Sequence, residues 1–345
     1  MTSRERVYRC LEFRSPDRAP RNLWFVPYIP EFRSAEMQQV LEEFPDDFCD
    51  PGPFIPPDPR SRPEGPVPNS HIDDWGSLWV KAEPGMAGEV KACPIADWSA
   101  LSTYRAPWFR LENARWHEAA EKQEENLKSP NPCFMMGWSS VRPFERMQFL
   151  RGSEQLFLDL GYDEPEVWKL RDLVHEYDMA ELEGWAKTPV DGVCFMDDWG
   201  SQTALLISPE QWRAFYKPLY ADYCRVIRGA GKKVFFHSDG FIEAIYPDLL
   251  DLGVDAVNSQ LFCMDIEGLA RRHKGKITFW GELNRQGALA FGTPPDIRRD
   301  VARVRRALDD GRGGLIANFT WGAETPIENV RAAYQAWHDP LPLSL

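Results

Sequence analysis

The chain has 345 residues, 43% of them hydrophobic, and carries Lys+Arg 40 against Asp+Glu 53 for a formal charge of −13. That length allows either two domains or one large α/β barrel, and the hydrophobic content is enough for a sizeable core, which excludes global disorder. The acidic balance opposes nucleic acid and anionic membranes because its field repels phosphate, and no apolar run approaches the roughly 18–20 residues of a membrane-spanning helix.

The opening stretch, MTSRERVYRCLEFRS, is charged throughout and has no apolar signal core, so a soluble, cytoplasmic protein is expected. An amphipathic helix is predicted over Ser3–Phe13, stopped by Pro16 and Pro20, and the apolar stretch Leu23–Tyr28 follows. Between Phe44 and Ser70 the chain is dense in Pro, Asp and Gly without any period, so an ordered loop or lid is expected there. The segment from His71 to Ile95 has alternating apolar positions around Gly85–Gly88 and predicts a hairpin. From about residue 130 short apolar runs alternate with helical periodicity. The runs are Pro132–Trp138, Gly192–Asp198, Lys233–Asp239, Asp255–Gln260, Ile277–Glu282 and Gly314–Phe319. Helices are predicted near Glu164–Lys187, Pro209–Arg228, Phe241–Leu252, Ile266–His273, Pro294–Leu308 and Pro326–His338. Ser208-Pro209-Glu210 and Thr293-Pro294 each place a cap residue before a first-turn proline. Seven cysteines, an odd number without Cys-x-x-Cys spacing, argue against a disulfide framework or a zinc knuckle.

Continuous apolar strands separated by helices imply a parallel sheet covered on both faces. Seven strand-like runs approach a closed barrel of eight, and no Gly-rich nucleotide loop follows an early strand. The expected fold is therefore α/β: a single distorted (β/α)8 (TIM-type) barrel with an N-terminal loop-rich extension, spanning 1–345 as one domain. Residues 1–130 would supply the first strand, the Pro/Trp-rich loops and the hairpin, and residues 131–345 the regular βα units.

Four consecutive apolar runs end in polar groups: Asp197-Asp198-Trp199-Gly200-Ser201-Gln202, His237-Ser238-Asp239, Asn258-Ser259-Gln260 and Gly281-Glu282-Leu283-Asn284. Exposure alone accounts for one or two such residues; acid, imidazole and amide at four strand ends point to a site, because those ends converge on one face of a barrel. His237 and Asp239 are two apart and share a face, which suits two metal ligands or a histidine oriented by a carboxylate. With Glu282 they make a His/Asp/Glu set for Zn2+ or another divalent ion. Asp197 and Asp198 are adjacent and point oppositely, so one can act as acid or base while the other caps a helix or loop. His175, His273 and His338 fall on or at the ends of predicted helices and read as solvated or capping residues. Trp 14 and Pro 29 are both high and concentrate early in the chain; such residues usually pack, but they also suit a lid over a flat small molecule.

Several segments resemble the uroporphyrinogen decarboxylase superfamily: RERVYRCLEFRSPDRAP, DDWGSQTALLISPEQWRAFYKPLY, RGAGKKVFFHSDG, PDLLDLGVDAVNSQ and NFTWGAETPIENV. The resemblance covers nearly the whole chain and implies a distorted (β/α)8 barrel with its site at the strand C-termini. The decarboxylase branch carries an Arg-Gln-Ala-Gly-Arg-Tyr string near its first strand, where this chain has RAPRNLWFVPYIPEF, and a His in Asn-Leu-Gly-His-Gly, where this chain has Trp321. The methyltransferase branch passes methyl groups between a corrinoid protein and a thiol or folate, using zinc on a His-x-Cys motif plus a later Cys. His237 matches that histidine, Asp239 stands in place of the first Cys, and Phe319 or Thr320 falls near the second. Carboxylate in place of thiolate makes a harder, more Lewis-acidic site.

The leading expectation is a metal-assisted methyltransferase or O-demethylase of corrinoid-linked type, closer to the methyltransferase branch, acting on a small aromatic or methoxylated substrate. His237, Asp239 and Glu282 would hold Zn2+ or another divalent metal, and Asp197, Asp198 and His237 would do the proton chemistry. Gln202, Asn258, Gln260 and Asn284 would orient the substrate, and Trp75, Trp199 and Trp321 would wall it. The partners expected are a small molecule and a corrinoid protein, with a homodimer allowed by the aromatic loops. The alternatives are a metal-free decarboxylase or lyase on a small carboxylate, and a non-catalytic ligand-binding barrel.

Overall fold

In the computed structural model, which describes residues 1–82 and 88–339, eight parallel strands curl into a nearly closed barrel surrounded by helices. The strands are β1 (Arg21–Phe25), β2 (Phe48–Cys49), β3 (Phe134–Trp138), β4 (Gly192–Met196), β5 (Lys233–Ser238), β6 (Ala256–Ser259), β7 (Thr278–Trp280) and β8 (Leu315–Trp321). They lie in chain order, and β1 returns to pair with β8 so that Asn22 stands opposite Asn318. The β1–β2 seam is held by single bonds, with Asp47 N donating to Arg21 O at 3.0 Å and Leu23 N to the Asp46 carboxylate at 2.9 Å.

The barrel is the expected fold, and its eighth strand was hidden in the stretch read as loop. β2 is only two residues long and sits among prolines and aspartates, too short for any alternation to register. Residues 1–130 also hold helices at Ser34–Glu43 and His117–Lys128 that were not predicted. The helix expected over Pro209–Arg228 is two, Pro209–Phe215 and Lys217–Gly229, because Pro218 has no N–H to continue the ladder. Strands Ser70–Ile72, Leu78–Lys81 and Gly88–Ala92 form a small antiparallel sheet; the predicted turn at Gly85–Gly88 falls largely outside the described residues. Among the described residues no helix is long and apolar enough to cross a membrane.

Strand alternation sorts the side chains into two cores. Val193, Phe195, Val234, Phe236, Val257, Phe279, Ala317 and Phe319 point outward into the layer shared with the helices. Phe48, Phe134, Met136, Cys194, Phe235, Trp280 and Ile316 point inward and fill the barrel. Four of these inner aromatics interlock, with Phe235 edge-on to Trp280 at 5.1 Å and Phe48 edge-on to Phe134 at 5.5 Å. Helix Ser3–Leu11 plugs the N-terminal end, adding Val7, Cys10 and Leu11 to the inner core. Above Phe235 and Trp280 the same inward face continues with His237, Asn258 and Asn318, so the inward face turns from apolar to polar at the C-terminal mouth.

Candidate functional site

Two loops set the mouth. The chain after β4 and the chain after β5 cross where Gly200 meets Gly240. A Cβ on Gly240 would lie 2.0 Å from Gly200 O, and Gly240 has φ +78. Only glycine allows that approach and that backbone. Gly200 N donates to Asp239 O at 3.1 Å and Asp239 N donates to Asp198 Oδ1 at 2.9 Å, which brings the two acids together.

His237 closes the group. Its Nε2 lies 3.5 Å from Asp198 Oδ1 and 3.7 Å from Asp239 Oδ1, and its Nδ1 lies 2.7 Å from Asn258 Oδ1. One ligand atom from each of Asp198, His237 and Asp239 fits within 4.8 Å of the others. Asp239 Oδ1 is buried and has no hydrogen-bond partner, whereas its other oxygen accepts from Arg285. Glu282, the third ligand expected from sequence, is engaged elsewhere: its Oε1 accepts from Thr320 Oγ1 at 3.1 Å and from Arg285 Nη1 at 3.4 Å. Burial, reinforced by Asp239, pushes the Glu282 carboxyl up to about 7 against the pull of Arg285 and His237. Glu145 also faces this group; its carboxyl is raised by burial and by Asp198, with Arg142 and His237 opposing.

The other expected residues divide by face. Asp197 is fully buried, and its carboxylate accepts from Phe144 N and Glu145 N, both at 2.8 Å, and from Tyr220 OH at 2.7 Å. It caps helix Pro143–Arg151, and Asp198 is the one of the pair that faces His237. Trp199 points outward as well, stacked on Phe144 at 4.1 Å, so it supports the loop and does not wall the mouth. Trp321 lies beneath Arg33 with its indole N–H bonded to Thr325 O at 3.0 Å, and Trp75 is packed between Arg146 and Tyr177. Asn258 is fully buried with its amide spent on His237, Trp280 O and Asn318, so it orients the histidine and leaves no group for a substrate. Gln260 braces Gly240 N at 3.1 Å and lines a small cleft with Glu282, Asn284 and Arg285; Gln202 is exposed and bonded to Cys263.

The aromatic walls are instead Trp24 and Trp138, 5.5 Å apart, with Trp24 edge-on to His237 at 5.1 Å. Both carry the inward parity of their strands, a signal available from β1 and β3 alone. Arg285, on the loop after β7, carried no such signal. Beside Trp138 a cavity of about 330 Å³ opens among Phe54, Arg110, Ser140, Glu181 and Trp185, ample for a ring-sized molecule.

Comparison with known proteins fits this geometry. The chain is 22% identical to a uroporphyrinogen decarboxylase of Xylella fastidiosa, over 91% of this chain and 90% of that protein. Its fold resembles that of a methyltransferase from Methanosarcina mazei with a TM-score of 0.72 and 13% identity, covering 98% of both chains. Residues 142–340 match the uroporphyrinogen decarboxylase (URO-D) family, so the loops that carry Asp198, His237, Asp239 and Glu282 all fall within the match and the chain belongs to that family.

Proposed function

We propose that this chain is a methyl-transferring or O-demethylating enzyme for a small, flat, methoxylated substrate, with Asp198, His237 and Asp239 as holders of a divalent metal. The observation that carries the reading is the convergence of the His237 Nε2 on two carboxylates, one of which ends in a buried oxygen without a partner. An imidazole nitrogen with carboxylate oxygens is a donor set suited to Zn2+. When bound, such an ion supplies Lewis acidity at a substrate oxygen or thiol.

The chain's own groups have separate tasks. Asn258 holds the imidazole, and Arg285 neutralises Asp239 and Glu282. Glu282, with its proton held to near neutrality, is placed to donate to a leaving oxygen. Glu282 is itself buried, which keeps water from that proton, and the cavity beside Trp138 takes the ring. A corrinoid on a partner protein would accept the methyl group, as the likeness to the methyltransferase branch suggests.

The Arg285 contacts favour one other reading, a metal-free decarboxylase for a small carboxylate. Its guanidinium already supplies a cation to the acid cluster, and Glu282 or His237 would protonate the carbanion left by CO2. Metal analysis of the purified protein separates the two. The first reading expects about one zinc per chain and loss of demethylation of methoxylated aromatics, assayed with a corrinoid protein, on chelation. Metal-free protein that releases CO2 from candidate acids overturns it in favour of the second. Arg285→Ala sharpens the contrast: it should tighten zinc binding in the first case and abolish turnover in the second.

A further inference from the structure

The mouth histidine sits at the end of a chain of amides whose orientations are all forced. Indole N–H groups only donate, and those of Trp24 and Trp280 both reach Asn22 Oδ1 at 2.9 Å. That atom of Asn22 is therefore the oxygen. Asn318 approaches Asn22 with its Nδ2, 3.0 Å from the backbone carbonyl and 3.2 Å from Oδ1, both acceptors, so this atom is the amide nitrogen. Asn318 Oδ1 then faces Asn258 and accepts from its Nδ2 at 2.9 Å. The same Asn258 nitrogen donates to Trp280 O at 2.6 Å, an independent check on its orientation. Asn258 is left with its oxygen toward His237 Nδ1 at 2.7 Å, and an oxygen there requires a hydrogen on Nδ1.

We infer that Asn22, Asn318 and Asn258 are positioning residues that lock neutral His237 as the Nδ1–H tautomer, presenting a bare Nε2 lone pair to Asp198 and Asp239. Free imidazole in water prefers the opposite tautomer, with hydrogen on Nε2, so the lock has something to do. It also has the means. Asn258 and Asn318 are fully buried and Asn22 is 5% exposed, so no water competes for these bonds. Flipping any one amide sets donor against donor or acceptor against acceptor at a neighbour: for Asn258, its oxygen would face Trp280 O and Asn318 Oδ1. The anchor is rigid because Trp24 and Trp280 stand edge to face at 4.9 Å on the strands that flank β8. A proton-accepting or metal-ligating Nε2 is thus set by Asn22, two amides away from the imidazole.

The inference deepens the reading of the mouth as a site in which His237 Nε2 is the working atom, and its test does not depend on that reading. Nitrogen-15 NMR of the metal-free full-length protein, labelled at histidine, reads the tautomer, with the His237 signals identified by their loss in His237→Gln. At a pH where the ring carries a single hydrogen, that hydrogen is expected on Nδ1; a single hydrogen on Nε2 overturns the inference, and this measurement needs no variant of the relay to fold. Asn258→Asp, which keeps the accepting oxygen, should retain the Nδ1–H form, and Asn258→Leu should shift most of the population to Nε2–H. Asn22→Leu should give a mixture of the two, and an unchanged tautomer in that variant would remove Asn22 from the relay. Failure to bind zinc together with an Nδ1–H ring would sink the metal reading and leave the relay standing; zinc binding with an Nε2–H metal-free ring would do the reverse.

Discussion

The two ends of this barrel use the same residue types to opposite effect. At the N-terminal end Asp47, fully buried, accepts from Arg6 at 2.6 Å, from Arg18 at 2.7 Å and from Arg21 N at 2.7 Å. Asp191 is likewise saturated by Arg4, Tyr8, Gln123 and Met135 N. Each of these carboxylates is fully partnered, and the bonds tie the plugging helix to the strands. At the C-terminal mouth the acids are only partly partnered: Asp239 Oδ1 has none, and Glu282 shares one arginine with it. The difference separates a saturated ion pair from an unsaturated one in the same fold. A saturated buried acid stabilises, whereas an acid left short of donors is a place where a ligand or a proton is expected.

Breaking the lower end should cost stability and leave the mouth intact. Asp47→Ala leaves Arg6 with Asp17 alone and takes from Arg18 its carboxylate and from Arg21 N its acceptor, and is expected to lower unfolding free energy by about 3 kcal/mol, read by denaturant titration. His237→Ala should do the reverse, cutting turnover by about 10²–10³-fold with little change in unfolding. Equal turnover in that variant would remove the mouth from consideration as the active site. Gly240→Ala tests the crossing that brings the acids together. Its methyl group would press on Gly200 O, and the backbone would be strained, so a loss of roughly 1–3 kcal/mol is expected along with impaired activity.

The smallest effect is a pH dependence with opposite signs at the two ends. Burial holds the Glu282 proton to about 7, above the ordinary carboxylate range, so the folded chain binds more protons than the unfolded one in that window. Its contribution to stability therefore falls as pH rises from the ordinary carboxylate range through about 7. Glu282→Gln should flatten that slope by roughly 1–2 kcal/mol in thermal or chemical melts between pH 5 and 8. Asp17, beside Arg6 at the lower end, is held below the ordinary range by its bond to that guanidinium. Its contribution is present above the ordinary carboxylate range and lost as pH falls further, so Asp17→Asn should matter only toward acid. A slope of the same sign in both variants would contradict the contrast between the ends.

Much of the site was legible through one property, side-chain alternation along a strand. Counting by twos from Phe235 places His237 and Asp239 inward, and counting from Cys194 places Asp198 inward and sends Asp197 and Trp199 to the helix layer. The same count from Ile316 puts Asn318 and Thr320 inside and Trp321 outside. Trp24 and Trp138 share that inward parity, whereas Trp75 lies in the loop-rich stretch, where no strand alternation fixes its direction. β2 was not legible, because two residues have no period, and Arg285 was not, because it reaches the acids from a loop.

By itself the sequence determined the α/β alternation, the face on which each strand residue lies and the end of the barrel at which the polar strand termini gather. These are local properties, set by the pleat and by the direction in which a parallel strand runs. Tertiary structure alone decided which inward residues meet. Closure of β1 onto β8 brings Asn22 to Asn318 across 296 residues of chain and completes the path to His237. The glycine crossing draws Asp198 beside His237, and the fold-back of Arg285 ties up Glu282. Contact across a closed sheet depends on strand order and loop path, which no periodicity within one segment records.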